Sequence, residues 1–451
     1  MVNMRAKLLL GTALALLPLV SASGETIEET MIKAYLTNPT LAAERAQLRV
    51  TDENLPQALA LRRPTITGQG DVGATYQNTT NTGSDLLNPR DVSIGVTQPL
   101  WTGGRADAAI SQAEYLVLAQ RANLLNTEEL VLLQAATAHL DVVRDQTLLD
   151  LANNNVKVLA QSRDEAKAQL AAGVATKTDL AQAEARLAQG IADQRRSEAN
   201  LTNSRSNYLQ AVGDMPGTLQ PPPPVQAMPV SEDVAVKQAT ELNPQVLTAQ
   251  ANEQAARAGI DVAQAQLMPT LGVSGTLLHE KDVLIRGTRD DSAQILLTLT
   301  VPLYQAGAEY SRIRAAKESY GVSQNQIEAS IRVATLNATQ SWQNLEAAQA
   351  NVLSFTSQIE ANTIAYSGVV EEQRVGTRTL LDVLNAQQEL FTSQSNLAIA
   401  QHDEAVSAYQ VKSAVGEMTA LALNLQVERY NPQKHYDAVR EKWIGTGPVA
   451  P

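Results

Sequence analysis

The chain has 451 residues, no cysteine and a formal net charge of −12. Only 4% of its residues are aromatic although 44% are apolar, so Ala, Leu and Val carry the apolar content; that suits long packed helices better than a thick aromatic core. The acidic balance argues against nucleic acid as a partner, and the lack of cysteine excludes disulfides, cysteine-ligated zinc, thiol catalysis and a lipidated N-terminal cysteine.

The N-terminus has the pattern of an export signal. Arg5 and Lys7 precede the apolar run Leu8 to Val20, and Ser21, Ala22, Ser23 and Gly24 follow. Such a run is too short to span a bilayer. Residues 1–24 are therefore expected to be removed, with a mature start near Glu25. No later segment approaches ~20 consecutive apolar residues, which leaves β-strands or surface contact as the means of meeting a membrane.

Beyond the signal the chain is an internal duplication. Asn38-Pro39 recurs as Asn243-Pro244, and Pro64-Thr65 as Pro269-Thr270. Gln98-Pro99-Leu100-Trp101 recurs as Val301-Pro302-Leu303-Tyr304, Gly173 as Gly376, Asp179 as Asp382, and Ala211-Val212-Gly213 as Ala414-Val415-Gly416. The halves are expected at 25–225 and 226–425, meeting near the stiff run Pro221-Pro222-Pro223-Pro224, with a C-terminal tail over 426–451. Each half predicts a helix (roughly 27–61 and 232–266), two strands joined by a polar loop, a very long helix (roughly 105–171 and 307–373), a glycine turn, and a last helix (roughly 178–212 and 381–415). At ~1.5 Å per residue the long helix reaches ~100 Å, and the two shorter ones end to end match it.

The strands alternate. Ile66, Gly68, Gly70, Val72, Ala74 and Tyr76 share one face, opposite Thr65, Thr67, Gln69 and Asp71; Val92, Ile94 and Val96 continue the apolar face. Leu271, Val273, Gly275 and Leu277, then Ile295, Leu297, Leu299 and Val301, repeat it. Outer-membrane strands and half-buried soluble strands both show this alternation. Trp101 and Tyr304, at corresponding strand ends, fit an interfacial aromatic girdle and favour the membrane; the polar loops 78–90 and 281–290 then face outside. Four strands cannot close a barrel, and an open sheet edge is not tolerated in lipid. Either the sheet packs on protein or several chains share one barrel.

The last helix of each half carries a heptad. Leu180, Leu187, Gln194, Leu201 and Tyr208 are each followed three positions later by Ala183, Gly190, Ser197, Ser204 and Ala211, all small; Ala386, Ser393, Ala400, Ser407 and Ala414 repeat the small set. This is a coiled-coil seam that lets backbones approach closely. The sequence holds no P-loop, dinucleotide fingerprint, zinc-protease helix or nucleophile elbow. The four histidines, His139, His279, His402 and His435, have no second ligand at i+3 or i+4, and read as packing or surface residues. No enzyme activity, metal or cofactor is expected. The turns Gly173 to Leu180 and Val375 to Ala386 stand out instead. Helix punctuation accounts for their glycines and threonines, but not for Arg378 or for an Asp at matching positions in both halves.

This layout resembles the TolC family of outer-membrane efflux channels over about residues 25 to 425, most specifically in Val375 to Met418 and in Gln98 to Arg105. The resemblance implies a mainly α-helical chain with membrane β-strands. Three protomers would each give four strands to one twelve-stranded barrel, and their long coiled-coil helices would form a periplasmic tunnel. It implies a homotrimer in outer-membrane lipid that docks a periplasmic adaptor and an inner-membrane pump, as the exit duct of a tripartite efflux or type I secretion system. It further implies that Thr178, Asp179 and Arg378 link the coiled coils at a closed entrance, Arg378 toward Asp179, and that Asp382 rings the narrowest point. The family's second ring aspartate is Asn385 here, and a tyrosine of its closing network is Gln373. The alternative reading is a structural or adhesive coiled-coil surface trimer with a soluble sheet as its head.

Overall fold

The computed structural model describes residues 24–80 and 83–447; the expected export segment lies outside the described residues except for Gly24. The first half forms α1 (Ile27–Thr37), α2 (Pro39–Asp52), α3 (Asn54–Ala60), β1 (Thr65–Val72), β2 (Thr75–Thr79), β3 (Gly83–Leu87), β4 (Arg90–Trp101), α4 (Arg105–Ala171) and α5 (Lys177–Val212). The second forms α6 (Glu232–Leu242), α7 (Pro244–Gln264), β5 (Thr270–Lys281), β6 (Arg289–Thr300), α8 (Ala308–Arg374) and α9 (Leu380–Ala414), followed by a tail helix, α10 (Pro432–Arg440).

Two differences from the sequence expectation have clear causes. The opening helix of each half is broken at Pro39 and Pro244, which each sit at the first turn of a new helix, where the missing N–H costs nothing and the fixed φ suits entry; the first half breaks again at Glu53, between α2 and α3. Asn38 and Asn243 do the same work in each half. Their Oδ1 atoms accept from Thr40 N and Gln245 N at 2.9 Å, and their Nδ2 atoms donate to the carbonyls of Ala211 and Ala414 at 3.1 Å. The recurring Asn-Pro is thus both a helix start and a clasp on the end of the half's last helix.

Secondly, part of the expected loop 78–90 is structured. β2 and β3 pair as a separate antiparallel ribbon. It meets the outer turn of the second half through an Arg286–Asp85 ion pair at 3.1 Å and through Gln77 donating to the Leu284 carbonyl at 2.9 Å.

The other four strands form one antiparallel sheet in the order β1-β4-β5-β6. The β4–β5 pairing crosses between the halves, with Ile94 opposite Leu277 and Val96 opposite Gly275. Its apolar face is uncovered: Ile66 is 72% exposed, Ile295 81% and Leu297 66%. Trp101 ends β4, after a register shift at Pro99. Tyr304 lies beyond the end of β6 at Thr300; Pro302, between them, offers no N–H to extend a ladder.

The helices form a wall with the same two edges as the sheet. Nearer the sheet the lateral order is α2, α4, α7, α8; toward the far tip it is α5, α4, α9, α8. Helices α4 and α8 both have 67 residues, yet α4 buries twenty-one of them and α8 only four, Ala334, Ala338, Leu345 and Ala348. Thus, among the described residues, β1, α5 and α2, the last with α10 packed on it, form one edge, while β6 and α8 of the second half form the other.

The small seam packs as its spacing predicts. Ala183 and Ser393 are fully buried, and Ser204, Ala211, Ala400, Ser407 and Ala414 are also buried. A Cβ at Gly190 would stand 2.8 Å from Leu159 Cδ1, so glycine there sets the α4–α5 distance. The main core lies at mid-height, where Ile27, Met31, Leu41, Leu132, Tyr208 and Met418 come together.

Candidate functional site

The end of the wall farthest from the sheet consists of two helix turns, residues 172–176 between α4 and α5 and 375–379 between α8 and α9. Gly173 and Gly376, with φ of +78° and +82°, close the long helices in the left-handed conformation that glycine adopts without penalty. Each turn then starts its next helix with a reciprocal cap. Thr176 N donates to Asp179 Oδ2 at 2.9 Å while Asp179 N donates to Thr176 Oγ1 at 3.2 Å. Thr379 and Asp382 repeat this at 3.0 and 3.3 Å.

The caps set the electrostatics. Hydrogen bonds from the Thr176 backbone and then from its side chain hold Asp179 below the usual carboxylate range. Thr379 does the same for Asp382, with Arg378 adding a smaller effect in the same direction. Both carboxylates are therefore charged at neutral pH. Thr178 is exposed in the first turn of α5.

Arg378 does not reach Asp179 within the chain. Its Nε donates to Glu372 Oε2 at 2.9 Å, an ion pair inside one hairpin. The link between the two hairpins is made elsewhere. Arg186 Nη2 donates to Asn385 Oδ1 at 2.8 Å, and Gln387 Nε2 donates to Asn155 Oδ1 at 3.2 Å. Beneath these, Leu384 is 1% exposed and packs with Leu159, Ala166 and Ala183. The tip therefore brings Asp382, Asn385 and Arg186 together on adjoining helices, while Arg378 is directed to its own long helix. Gln373 takes part through its backbone, its carbonyl accepting from Gly376 N at 3.0 Å.

Arg186 was not singled out by the sequence reading. A signal was present: at the offset that relates Gly173 to Gly376, Arg186 corresponds to Glu389, a reversal of charge between repeats. The buried Glu128 and Glu129 of α4 were also missed. They accept from the backbone N–H groups of Ala420 and Met418 at 2.8 and 3.3 Å and so hold the segment after α9 on the first half. Burial raises both, and Glu129 is pushed up to about 8.

The histidines divide by environment. His139 is buried, with Nδ1 on Thr30 Oγ1 at 2.8 Å and Nε2 on the Gln220 carbonyl at 2.9 Å, and burial lowers its pKa. His435 is buried on Asp52. His402 lies between Asp141 and Asp403, 2.9 Å from each, beside the proline run 221–224 in a cleft of about 410 Å³. His279 is exposed on the sheet against Asp291.

The sequence matches the outer membrane efflux protein family twice, over residues 32–214 and 235–417. It is 34% identical to the outer membrane efflux protein BepC of Brucella suis over 431 residues, 94% of this chain and 92% of that one. It is 24% identical to the outer membrane protein TolC of Escherichia coli, over 89% and 85% of the two chains. Among solved structures, the fold is similar to the Campylobacter jejuni CmeC outer membrane channel, with TM-score 0.79, 14% identity and 92% and 89% coverage. It is also similar to the outer-membrane channel OprN, with TM-score 0.76, 19% identity and 86% and 89% coverage.

Proposed function

Because the chain belongs to the outer membrane efflux protein family, we propose that it acts as a homotrimeric exit duct, serving a tripartite efflux or type I secretion system. Outer-membrane residence and a channel fold come with the family. The trimer, the partners and the gate are the further reading. The observation that carries it is the pair of matching free edges. In lipid an unpaired strand edge is excluded, and β1 and β6 each have one. The helical wall ends on the same sides, at α2 and α5 and at α8. Head-to-tail contact of unlike edges closes into a ring when the rotation allows, and three copies supply twelve strands.

In that ring each α8 gains a neighbour's α2 and α5 as cover. The exposed sheet face meets lipid, with Trp101 at the rim. A soluble head would leave Ile66, Ile94 and Ile295 uncovered in water, which disfavours the adhesive reading. The tip then forms the periplasmic entrance, with Asp382 repeated about the axis and Thr178, Asp179, Arg378 and Asn385 around it. Val174 and Val375, 77% and 76% exposed at the turns, offer apolar surface to an adaptor that links the duct to an inner-membrane pump.

Mass measurement in mild detergent tests the assembly, and planar-bilayer recording tests the duct. Three copies and a discrete conductance are expected. A stable monomer or dimer sinks the shared barrel, and a non-conducting trimer sinks the duct. Crosslinking to inner-membrane proteins distinguishes a drug exporter from a secretion ATPase.

A further inference from the structure

The tail delivers an uncovered aromatic residue to the rim of the sheet. Helix α10 packs on α2 and α3: His435 Nδ1 is 2.9 Å from the buried Asp52 Oδ2 of α2 and Val439 is fully buried, while the Arg121 guanidinium of α4 lies 5.1 Å from the half-buried Tyr436 ring. The chain leaves this helix as Arg440, Glu441, Lys442, Trp443, Ile444. Arg63 fixes the exit. Its Nη1 donates to the Lys442 carbonyl at 2.9 Å, and its guanidinium lies 4.8 Å from the Trp443 ring centroid.

Arg63 stands just before β1, and β1 pairs Thr65 with Thr97 of β4. Trp443 is therefore held at the end of the sheet where β4 finishes in Trp101. All four strands of that sheet join the helical wall at this end, so in the membrane it faces the periplasm. Trp443 is 65% exposed and Ile444 89%. Arg63, Arg440 and Lys442 flank them as basic groups, with Glu441 between the last two in the chain; the Lys442 ammonium also donates to the Gly447 carbonyl at 2.9 Å. An indole and an aliphatic side chain set among cations match a lipid–water interface, where the rings enter the acyl boundary and the cations meet phosphate.

We propose that residues 440–444 are an interfacial anchor on the periplasm-facing phospholipid leaflet of the outer membrane. Trp443 and Ile444 enter the acyl boundary, and Arg63, Arg440 and Lys442 face the headgroup phosphates. The anchor continues the aromatic girdle of Trp101 with a ring supplied by the tail. This contact ties the helical wall to the membrane by side chains. The inference rests on the barrel reading above.

Single-tryptophan forms of the full chain test it. Trp101→Phe with Trp342→Phe leaves Trp443, and Trp342→Phe with Trp443→Phe leaves Trp101. Each is reconstituted in phosphatidylethanolamine–phosphatidylglycerol vesicles with brominated acyl chains. Both indoles should be quenched by the bromines and shielded from aqueous iodide. Adding Arg63→Ala to the Trp443 form should reduce its acyl quenching and leave that of Trp101 in the matching form unchanged. A quenched Trp101 beside a Trp443 open to iodide and untouched by bromine overturns the anchor alone, and places the tail in water. If Trp101 is also unquenched, the barrel reading falls and takes the anchor with it.

Discussion

Arg186 and Asn385 join the two coiled coils at their tip, the guanidinium Nη2 donating to the amide Oδ1 over 2.8 Å. The contact runs between the last helices of the two halves, whereas Arg378 spends its charge on Glu372 within its own hairpin. An entrance that opens by parting these hairpins must break the first contact and can keep the second.

Arg186→Ala and Asn385→Ala should therefore each loosen the closed entrance. A hydrogen bond of this exposed kind contributes about 1 kcal/mol per chain. Single-channel recording should show higher conductance or longer openings in both, and the double variant should add little to either single one. Fully additive effects would mean that the two side chains act separately.

Arg378→Ser separates the pairing within a chain from one between protomers. If Arg378 serves only Glu372, conductance should stay at the wild-type level. If it also meets Asp179 of a neighbouring protomer, conductance should rise, and Asp179→Asn should reproduce the rise.

Cation block should depend on Asp382. The Thr379 cap holds this carboxylate below the ordinary Asp range, so it remains charged, and block should persist on acidification until the pH falls below that range. Multivalent-cation titration from the periplasmic side should show block in the wild type and none in Asp382→Asn. Asn385→Asp should strengthen it only modestly, because Arg186 already faces that position; pairing it with Arg186→Gln should strengthen it further.

Leu384→Ala should destabilise the tip by about 2–5 kcal/mol per chain, the range for emptying a buried leucine site. Its side chain is almost wholly enclosed by Leu159, Ala166 and Ala183. Proteolysis or hydrogen exchange should register the loss in the lower parts of α4, α5 and α9, with the mid-height core unaffected.

Glu129 predicts a pH dependence at mid-height. Burial raises its pKa from an ordinary carboxylate value to about 8, so the folded chain favours the protonated form. Its stabilising contribution is complete below pH ~4.5 and declines as pH rises through about 8, by a few kcal/mol at most on the order of the shift. Glu129→Gln should flatten the fall in Tm between these limits. An equal fall in both proteins would remove Glu129 as its source.

Much of the molecule was legible in the sequence because it depends on local pattern. The duplication, the alternating strands and the small seam residues are carried by spacing alone, and the structure buries Ala183, Gly190 and Ser393 where the heptad puts them. The Asn-Pro pairs were visible as landmarks. Their breaking of the opening helices required weighing proline's missing N–H against an otherwise helical pattern. The paired turns were readable too, since glycine and Thr-x-x-Asp specify their own geometry, and capping is the role in which Asp179 and Asp382 are found within the chain.

What only the tertiary structure decided are the contacts between elements distant in sequence. No spacing rule joins Arg186 to Asn385, Glu129 to Met418 or Arg63 to Trp443. These pairs meet because the wall sets the two halves side by side, with α7 and α9 of the second half packed against α4 of the first, and because α10 returns across α2 and α3. The sequence determined the repeating unit, since hydrophobic periodicity and capping act over a few residues. The side-by-side docking of the halves determined which charges face one another, since that depends on how whole helices pack.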